Sequence, residues 1–494
     1  MRCRHALWHA LSLYSFLPHV FAGNNTLAQD PITSLCVEIA HSISSAGQVF
    51  FPGDPSYDAG IFHFAVSSTQ QSKCVVEPGT PEDVGKILVI LGRTRTPFAV
   101  KGGGHATNVG FSSTLGVHIA MSRFSEVNYN SSSQTADVGA GLVWDDVYAA
   151  LEPFGVNVVG GRVTGIGVAG FTLGGGYSWK SNQFGLAVDN VIAFELVLPN
   201  GRITTVTEKS DPSLFFGLKG GENNFGIVTK FKLKTFPQTE VWGGSIDFLG
   251  SNLDAINNAT IAFQAVTDPK AAIIASYGST PALPEPLVNV LMFYDAPNPP
   301  PGIFDAFLAI PSLDSNIGTR SFLSLVQSAP SNSLQGLRSV YQGFPILSFT
   351  AGIAEVIVNE TLFWGERLLN QSLFDISYSV EIFLPSVYSH NSAKTAYPPV
   401  RNIGFQPFNI ACAWNSSEFD SVFHDAVVAS SAHIHNAAIA QGQTGLTRSP
   451  IYPNYAVSGT PLADMYGSNL PALRALKARV DPENVMGLAG GWKF

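Results

Sequence analysis

The sequence has few charged residues, few cysteines and, beyond its first 22 residues, no apolar stretch long enough to cross a membrane. Only 13% of its 494 residues are charged, and the formal net charge is −9. Nucleic-acid-binding proteins usually carry a basic surface, and anionic membranes attract basic segments. We therefore expect neither a nucleic acid nor a membrane as a partner.

The sequence also lacks the patterns of two kinds of site, a metal site and a serine-hydrolase site. The 11 histidines are scattered, and the pair His433 and His435 has no accompanying set of ligands, so we expect no metal site. The motif Gly-x-Ser-x-Gly is absent as well, which leaves a serine hydrolase without support.

The residues that are present predict a folded protein of two or three domains. The chain is 45% hydrophobic, and its length allows sizeable cores. The 47 glycines and 34 phenylalanines favour a loop-rich α/β protein lined by aromatic rings.

The first residues are typical of a secretory signal peptide. Arg2 and Arg4 precede a mostly apolar run, residues 6–17, and Ala22 fits a small-residue cleavage site. The run is too short for a membrane anchor. We therefore expect a secreted glycoprotein, and the glycosylation sequons begin at Asn24, Asn130, Asn258, Asn359, Asn370 and Asn415.

Three cysteines remain after removal of the signal peptide. In an oxidising compartment we expect a disulfide between Cys36 and Cys74, which would join an N-terminal helix to the first strand of the next unit. Cys412 lies in an apolar run, which favours a buried free thiol over a catalytic one.

The first of three glycine clusters is the stretch 98–105, Phe-Ala-Val-Lys-Gly-Gly-Gly-His. The pattern predicts a strand ending in a glycine turn at the carboxyl edge of a strand–helix–strand unit, where ligands of α/β proteins commonly bind. Successive backbone N–H groups in such a turn can bind an anion. The alternative is a tight turn that His105 merely caps.

The second cluster, residues 160–176, contains a dinucleotide-binding pattern. Gly165, Gly167 and Gly170 have the spacing of that fingerprint, and Asp189 lies near the expected acidic position. A nicotinamide site would also need a helix opening at the third glycine, and the glycines over 174–176 disfavour one. We therefore interpret this cluster as a second backbone cradle along an extended cofactor.

The third cluster, residues 220–229, runs into a strand that ends near Phe236. Beyond Pro237, prolines and alternating strands such as 288–294 and 377–383 predict an antiparallel sheet with helices on one face. The pattern predicts a last helix over 470–481, which Pro482 follows.

The order of these clusters resembles the vanillyl-alcohol-oxidase superfamily of FAD enzymes, and more narrowly the berberine-bridge-enzyme-like oxidases. The ending 480–486, Val-Asp-Pro-Glu-Asn-Val-Met, and the preceding Tyr-Pro-Asn-Tyr over 452–455 are similar to that family's returning C-terminal piece. The resemblance implies an α+β fold with a two-subdomain FAD-binding lobe and an antiparallel-sheet substrate lobe. The implied boundaries are 1–22 signal peptide, 23–69 N-terminal helix and loop, 70–240 FAD-binding domain, 241–449 substrate-binding domain and 450–494 returning segment.

The resemblance also implies FAD bonded covalently to His105. The expected cofactor-binding residues, besides that histidine, are Lys101, Gly102, Gly103, Gly104, Ala106, Gly165, Gly167, Gly170, Gly174, Gly175, Asn224, Gly226, Ile227, Val228 and Asn454. Many relatives attach the flavin a second time through a cysteine, where this chain has Val163, so we expect a single covalent link. Ala106 replaces a common serine, which removes one possible hydroxyl contact to phosphate.

The catalytic base is expected on the roofing sheet or the returning segment. Asn415, where some relatives carry an acid, is a poor base. Tyr452 or Tyr455 is the next candidate, although either would need a lowered pKa and could instead pack on the flavin with Asn454 hydrogen-bonded nearby. Glu381, on an alternating strand, is a weaker candidate because strand acids are more often solvated.

These expectations define a function with alternatives. We expect a secreted, monomeric FAD oxidase that moves hydride from an alcohol, sugar or specialised metabolite to flavin and then to oxygen. The alternatives are a flavin dehydrogenase or oxidative cyclase of secondary metabolism, and a non-catalytic secreted glycoprotein that binds a ligand with the same fold.

Overall fold

The computed structural model of the chain describes residues 30–391 and 393–494. The expected signal peptide, residues 1–22, and the sequon at Asn24 lie outside these residues. Within the described ranges, no helix combines the length and the apolar character needed to cross a bilayer.

The first subdomain is a small sheet with helices. Its elements are α1 (Pro31–Ser42), β1 (Gln48–Phe50), α2 (Pro55–Ile61), β2 (Cys74–Glu77), α3 (Pro81–Thr94), β3 (Phe98–Lys101) and β4 (Val117–Ala120). The strand order is β1-β2-β4-β3, with β4 parallel to both β2 and β3. The expected disulfide between Cys36 and Cys74 is confirmed and ties α1 to β2.

Two local features of this subdomain follow from capping. Helix α3 begins behind Thr80, whose side chain accepts a hydrogen bond from the Asp83 amide, and it ends at Arg95 in a left-handed conformation. The glycine and prolines of residues 50–57 predict a loop, and this prediction is wrong because α2 starts within the stretch. Asp54 caps the Ser56 amide and Pro55 occupies the first turn, which is a helix-start signal.

The second subdomain contains the other two glycine clusters. Its elements are β5 (Val127–Asn130), β6 (Thr135–Gly139), α4 (Trp144–Leu151), β7 (Val156–Asn157), α5 (Val168–Leu173), α6 (Ser181–Phe184), β8 (Val191–Val197), β9 (Ile203–Val206), α7 (Pro212–Leu218), β10 (Ile227–Lys234) and β11 (Phe236–Pro237). An antiparallel sheet runs in the order β5-β6-β10-β8-β9, and β7 pairs with β11. The Asn-Gly turn at residues 200–201 predicts a hairpin, and the pairing of β8 with β9 confirms it.

The second lobe is built on a seven-stranded sheet. Its elements are β12 (Val241–Leu249), α8 (Leu253–Phe263), β13 (Ala271–Ser279), β14 (Leu287–Tyr294), α9 (Asp305–Leu308), β15 (Asp314–Arg320), α10 (Phe322–Gln327), β16 (Arg338–Ile346), α11 (Ala351–Leu368), β17 (Leu373–Ile382), β18 (Gln406–Trp414) and α12 (Asp420–Ala440). The order is β15-β12-β14-β13-β17-β18-β16, and every pairing is antiparallel. Helices α8, α11 and α12 share the core on one face, as the alternating patterns predict. Cys412 lies there as a buried free thiol.

The last segment returns to the first lobe. Helices α13 (Leu462–Tyr466) and α14 (Leu470–Val480) contribute to the same core as the two glycine-rich subdomains. The two lobes also meet in a buried ion pair, in which Lys180 Nζ lies 2.7 Å from Asp295 Oδ2. Gln238, in the connection between the lobes, accepts a second hydrogen bond from the same amine.

Candidate active site

The first two glycine clusters lie back to back. A Cβ atom on Gly103 would stand 2.5 Å from Gly167 Cα, and a Cβ on Gly167 would stand 2.5 Å from Gly103 N. Gly104 has a φ of +72°, which L side chains rarely adopt. The close approach therefore requires glycine at these positions, and it brings two distant pieces of chain into one surface.

His105 closes the first turn with an unpartnered nitrogen. Its ring stacks on Phe64 with the centroids 4.1 Å apart. Nε2 is buried and has no hydrogen-bond partner among the described residues. Burial lowers the pKa of His105 to about 4, so the imidazole is neutral at pH 7. A neutral ring nitrogen with a free position can bind a ligand, and leaving it unpaired costs about 1–3 kcal/mol.

The side chain of Lys101 packs against Gly104 in the glycine turn, where an added Cβ would lie 2.6 Å from Lys101 Cε. Its ammonium group donates to the Gly60 carbonyl at 3.0 Å, near the C-terminal end of α2. Burial lowers the pKa of Lys101 to about 8. The side chain of Lys101 thus connects the glycine turn at Gly104 to the end of α2. Ala106 contributes its carbonyl, which accepts from Ser68 Oγ.

The second cluster contains a helix that the sequence did not predict. Helix α5 opens at Val168, immediately after Gly167, and spans six residues. The reasoning that no helix follows the fingerprint glycines was therefore too strict. The helix stops at Gly174, and no strand precedes Gly167 to complete a strand–helix–strand unit over the described residues 158–167. The rejection of a nicotinamide fold rests on this topology.

Gly170 differs from its neighbours in the space around it. No described atom lies within 4 Å of a Cβ placed there, so this face of α5 is open. By contrast, a Cβ on Gly174 would meet Asn454 Oδ1 at 2.1 Å, and Gly175 has a φ of +125°. At the start of the cluster, the Gly165 amide donates to Asp145 at 2.9 Å.

The third cluster mainly anchors the C-terminus. The side chain of Asn224 donates to the Trp492 carbonyl at 2.9 Å and accepts from the Phe494 amide at 3.2 Å. Gly226 has a φ of +142°, and a Cβ there would lie 2.3 Å from a carbonyl of β8. Ile227 and Val228 lie inside the sheet as the first residues of β10. Cofactor contacts by these residues stay predictions.

The returning segment places its two tyrosines in different environments. Tyr452 Oη accepts hydrogen bonds from the Gly176 amide at 3.1 Å and from Asn454 Nδ2 at 2.8 Å. Burial raises the pKa of Tyr452 above its ordinary value. The hydrogen bond with Asn454 agrees with the alternative role of Tyr452, and its packing on a flavin stays a prediction.

Tyr455 joins a buried ionic network that reasoning from sequence missed. Its hydroxyl donates to Glu381 Oε1 at 2.7 Å and accepts from Arg162 Nη2 at 2.8 Å. Arg162 Nη1 also lies 2.7 Å from Glu381 Oε2, and the two side chains are 7% and 1% exposed. The expectation that a strand acid such as Glu381 is solvated was therefore wrong, since the returning segment covers this part of β17. Asn409 Nδ2 donates to the same carboxylate at 3.2 Å.

The chemistry of this network is set by its charges. Burial and the neighbouring Glu381 carboxylate raise the pKa of Tyr455 well above its ordinary value. The attraction of Glu381 raises the pKa of Arg162 despite burial, so its guanidinium stays charged. The resting state is therefore a neutral phenol hydrogen-bonded to a paired carboxylate. Such a pair can pass a proton from a bound group through Tyr455 to Glu381.

An aromatic cavity lies beside the two tyrosines. Its free space of about 10 Å³ is close to what a single water needs. Its lining includes Tyr177, Tyr388, Tyr397, Phe405, Tyr452 and Tyr455. Tyr177 Oη lies 2.6 Å from Tyr388 Oη and 3.0 Å from Tyr397 Oη, so these hydroxyls largely satisfy one another.

The residues present fit a flavin dinucleotide. The two packed glycine turns and the open helix face at Gly170 provide a surface lined by backbone. The neutral imidazole of His105, with its unpartnered Nε2, lies at the end of the first turn. Tyr455 and Glu381 form the proton-accepting pair.

Comparison with known proteins identifies relatives of the chain. An FAD binding domain matches residues 72–207. An uncharacterized FAD-linked oxidoreductase of Arthroderma benhamiae is 33% identical over 79% of this chain and 80% of its own length. An FAD-dependent monooxygenase of Cochliobolus heterostrophus is 31% identical over 86% of this chain and 85% of its own length. The solved structure of berberine bridge enzyme, in a complex with (S)-reticuline, has the same fold, with a TM-score of 0.73, 16% identity and coverage of 94% and 97% of the two chains.

Proposed function

The chain belongs to the FAD-linked oxidoreductases, and on that premise we propose that it is a secreted oxidase that holds FAD covalently through His105 and oxidises a hydroxyl group of a small molecule. When bound, FAD supplies the two-electron acceptor that no protein side chain provides. The observation that carries the proposal is the buried, unpartnered Nε2 of His105, which follows directly on the first of the two packed glycine turns.

The protein's own residues would bind the cofactor and attach it. The turn over 102–105 and the open face at Gly170 would hold the dinucleotide, and the absence of a cysteine at Val163 leaves one attachment point. Loss of a non-covalent cofactor is a hazard outside the cell, which favours a covalent link in a secreted enzyme. The signal-like N-terminus and the disulfide between Cys36 and Cys74 support secretion.

Proton removal would fall to Tyr455 and Glu381. A substrate hydroxyl beside Tyr455 would give its proton to Oη, while the phenol proton passes to Glu381 Oε1 along their 2.7 Å hydrogen bond. Arg162 would keep its charge and hold both partners in position. Tyr452 would act as a packing residue between Tyr455 and the glycines of the second cluster.

The cofactor is tested on purified protein. We expect yellow protein whose colour stays with the pellet after acid precipitation, and colourless or flavin-releasing protein from His105→Ala. A matched control is His424→Ala on α12, because that ring is exposed and bonds only near the surface. Wild-type protein without flavin, or with flavin released into the supernatant, would contradict the covalent link.

The acceptor is tested by mixing substrate-reduced protein with oxygen. Reoxidation with release of peroxide is expected of an oxidase, whereas no reoxidation would indicate a dehydrogenase or cyclase. The name of the Cochliobolus relative, an FAD-dependent monooxygenase, motivates a second candidate function, the insertion of one oxygen atom into the substrate. Incorporation of isotopically labelled oxygen into the product would favour it over the oxidase.

A further inference from the structure

Helix α11 has an outer face on which large apolar side chains lie exposed. Its inner face joins the core beneath the seven-stranded sheet. On the outer side, Leu362, Phe363 and Leu369 are between 47% and 52% exposed, and Phe374, in the strand that follows, is 42% exposed. Together they present apolar surface on the order of 300–400 Å², a size at which a patch on a monomer often has a function. We call these four residues the apolar patch.

Two of the glycosylation sequons lie on the same side of this helix. Asn359 precedes Phe363 by four residues, and Asn370, just beyond the helix end, follows Phe363 by seven, so all three share one face. At 1.5 Å per residue, the two asparagines are about 16 Å apart along the axis. Both side chains are exposed. The helical part of the apolar patch therefore lies between two sequon asparagines.

The ring of Phe363 is oriented towards the first of these asparagines. Side chains on a helix lean towards its N-terminus, so this ring lies over the turn that carries Asn359. Arg367 leans the same way, and its guanidinium carbon lies 5.8 Å from the centre of the Phe363 ring. Trp364 meets the same ring edge-on, with the centroids 5.1 Å apart. These contacts hold the ring in place, and its exposed half remains on the side of Asn359.

A third sequon lies beside the second. Asn415 follows β18 and is exposed, and its amide donates to the Ser372 carbonyl at 3.1 Å. The Ser416 amide donates to Ser372 Oγ at 3.0 Å. Ser372 is the serine of the sequon at Asn370, and Phe374 follows it two residues later. Two sequons therefore border the end of the apolar patch at Phe374.

We propose that Asn359 and Asn370 carry N-linked glycans and that these glycans cover the apolar patch. This inference rests on the secretion in the proposed function, since such glycans are added to proteins that enter the secretory pathway. The sugar donor is a lipid-diphosphate-linked oligosaccharide. The bond from asparagine Nδ2 to sugar C1 forms as the bond from C1 to the phosphate breaks, the amide loses one proton, and the lipid diphosphate leaves.

The chemistry of the first sugar suits the ring beside it. N-acetylglucosamine presents C–H groups on one face of its pyranose ring, and the negative face of an aromatic ring attracts them. Cβ atoms four residues apart on a helix are about 5–6 Å apart, so the first sugar on Asn359 would reach Phe363. The rest of each glycan would extend over Leu362 and Leu369.

The competing occupant is a protein, including a second copy of this chain. A stable interface buries about 800 Å² on each partner, which is at least twice the area of the apolar patch. Glu366 and Arg367 also place both signs of charge on the same exposed face. The apolar patch is therefore small for a protein partner and within the reach of two glycans that flank it.

Asn258 on α8 provides a matched control. It is exposed and begins a sequon, as Asn359 does. Helix α8, however, has no exposed large apolar residue among its described residues, 253–263. A glycan at Asn258 would have no apolar patch to cover.

Occupancy is tested on the full-length chain expressed in yeast, with both the medium and the cells analysed. Enzymatic removal of N-glycans in isotopically labelled water converts each glycosylated asparagine to labelled aspartate, which peptide mass spectrometry locates. We expect the label at Asn359 and Asn370. Secreted protein without label at these positions overturns the inference and leaves the proposed function intact. Protein that stays in the cells without glycans overturns the secretion as well as the inference.

The covering role is tested by sedimentation of the secreted protein. Asn359→Gln combined with Asn370→Gln should at least double the average mass relative to the wild type, with no change in flavin content, whereas Asn258→Gln should leave the mass unchanged. Enzymatic deglycosylation of the folded wild type gives the same comparison if the double variant is not secreted. Adding Leu362→Gln and Phe363→Gln should restore the wild-type mass, because glutamine suits a helix and removes the apolar surface.

Three results would overturn the covering role. The first is a double variant, or a deglycosylated wild type, that keeps the wild-type mass. The second is an equal increase of mass in Asn258→Gln, which would indicate a general effect of glycans on solubility. The third is association that Leu362→Gln and Phe363→Gln leave unchanged, which would place the sticky surface elsewhere.

Discussion

The contact between the two glycine turns predicts different results for two glycine-to-alanine changes. In Gly103→Ala, the new methyl group would lie 2.5 Å from Gly167 Cα, whereas carbon atoms normally approach to about 3.5–4.0 Å. The two turns must therefore separate by about 1 Å. Both sides of the contact are backbone, so no side chain can rotate to relieve it. Overpacking typically costs about 1–3 kcal/mol, and we expect a loss near the upper end of that range.

The matched change is Gly170→Ala. Its methyl group would meet nothing within 4 Å, and Gly170 lies inside α5, where alanine favours the helix by about 1 kcal/mol. We expect Gly170→Ala to keep or raise stability in the flavin-free protein. If FAD lies along this open face, the same methyl group should lower the flavin content.

Urea unfolding midpoints and the ratio of flavin to protein absorbance measure the two effects separately. Gly103→Ala should lower both the midpoint and the flavin content, whereas Gly170→Ala should lower the flavin content alone. A stable, fully flavinylated Gly103→Ala protein would refute the back-to-back packing. A fully flavinylated Gly170→Ala protein would show that the open face is not part of the cradle.

Three further changes test the buried polar groups and the disulfide. Glu381→Gln leaves Arg162 buried without its counter-charge, so denaturant unfolding should show a loss of about 3–5 kcal/mol, and an unchanged midpoint would contradict the ion pair. Replacing Cys36 by serine opens a loop closed across 38 residues, and the chain-entropy model predicts a loss of about 4 kcal/mol relative to the oxidised wild type. The reduced wild type should show the same loss, and an unchanged unfolding midpoint in both would contradict it. Burial lowers the pKa of His118 from 6.5 to about 3, so the unfolded chain gains a proton first and stability should fall as the pH drops from 6.5 towards 3. His118→Leu should flatten that part of the pH profile of unfolding, and an unaltered profile would exclude His118 as the cause.

The elements that the sequence predicted well are those whose signals are local. Helix α3 follows from a threonine cap, a proline and two acids at its start, and the hairpin of β8 and β9 follows from Asn200-Gly201. The glycine turn after β3 was predictable because glycine clusters directly after a strand. The missed helix α2 had the same kind of signal in Asp54 and Pro55, which a stricter search for caps would find.

The features that sequence reasoning missed depend on residues far apart in the chain. Arg162, Glu381 and Tyr455 come from the second glycine cluster, the sheet and the returning segment, and no local spacing joins them. Burial of Glu381 follows from coverage by the other lobe, which strand alternation does not reveal. The hydrogen bond from Lys101 to Gly60 was missed for the same reason, since its acceptor is a carbonyl of a helix that was not predicted.

The most direct test of the covalent flavin is mass spectrometry of the proteolysed holoprotein. The peptide that contains His105 should carry the added mass of FAD, with fragmentation placing it on the histidine ring. The same peptide from His105→Ala should be unmodified, and no peptide containing Val163 should carry flavin. An unmodified His105 peptide from yellow wild-type protein, or flavin on another residue, would contradict the assignment.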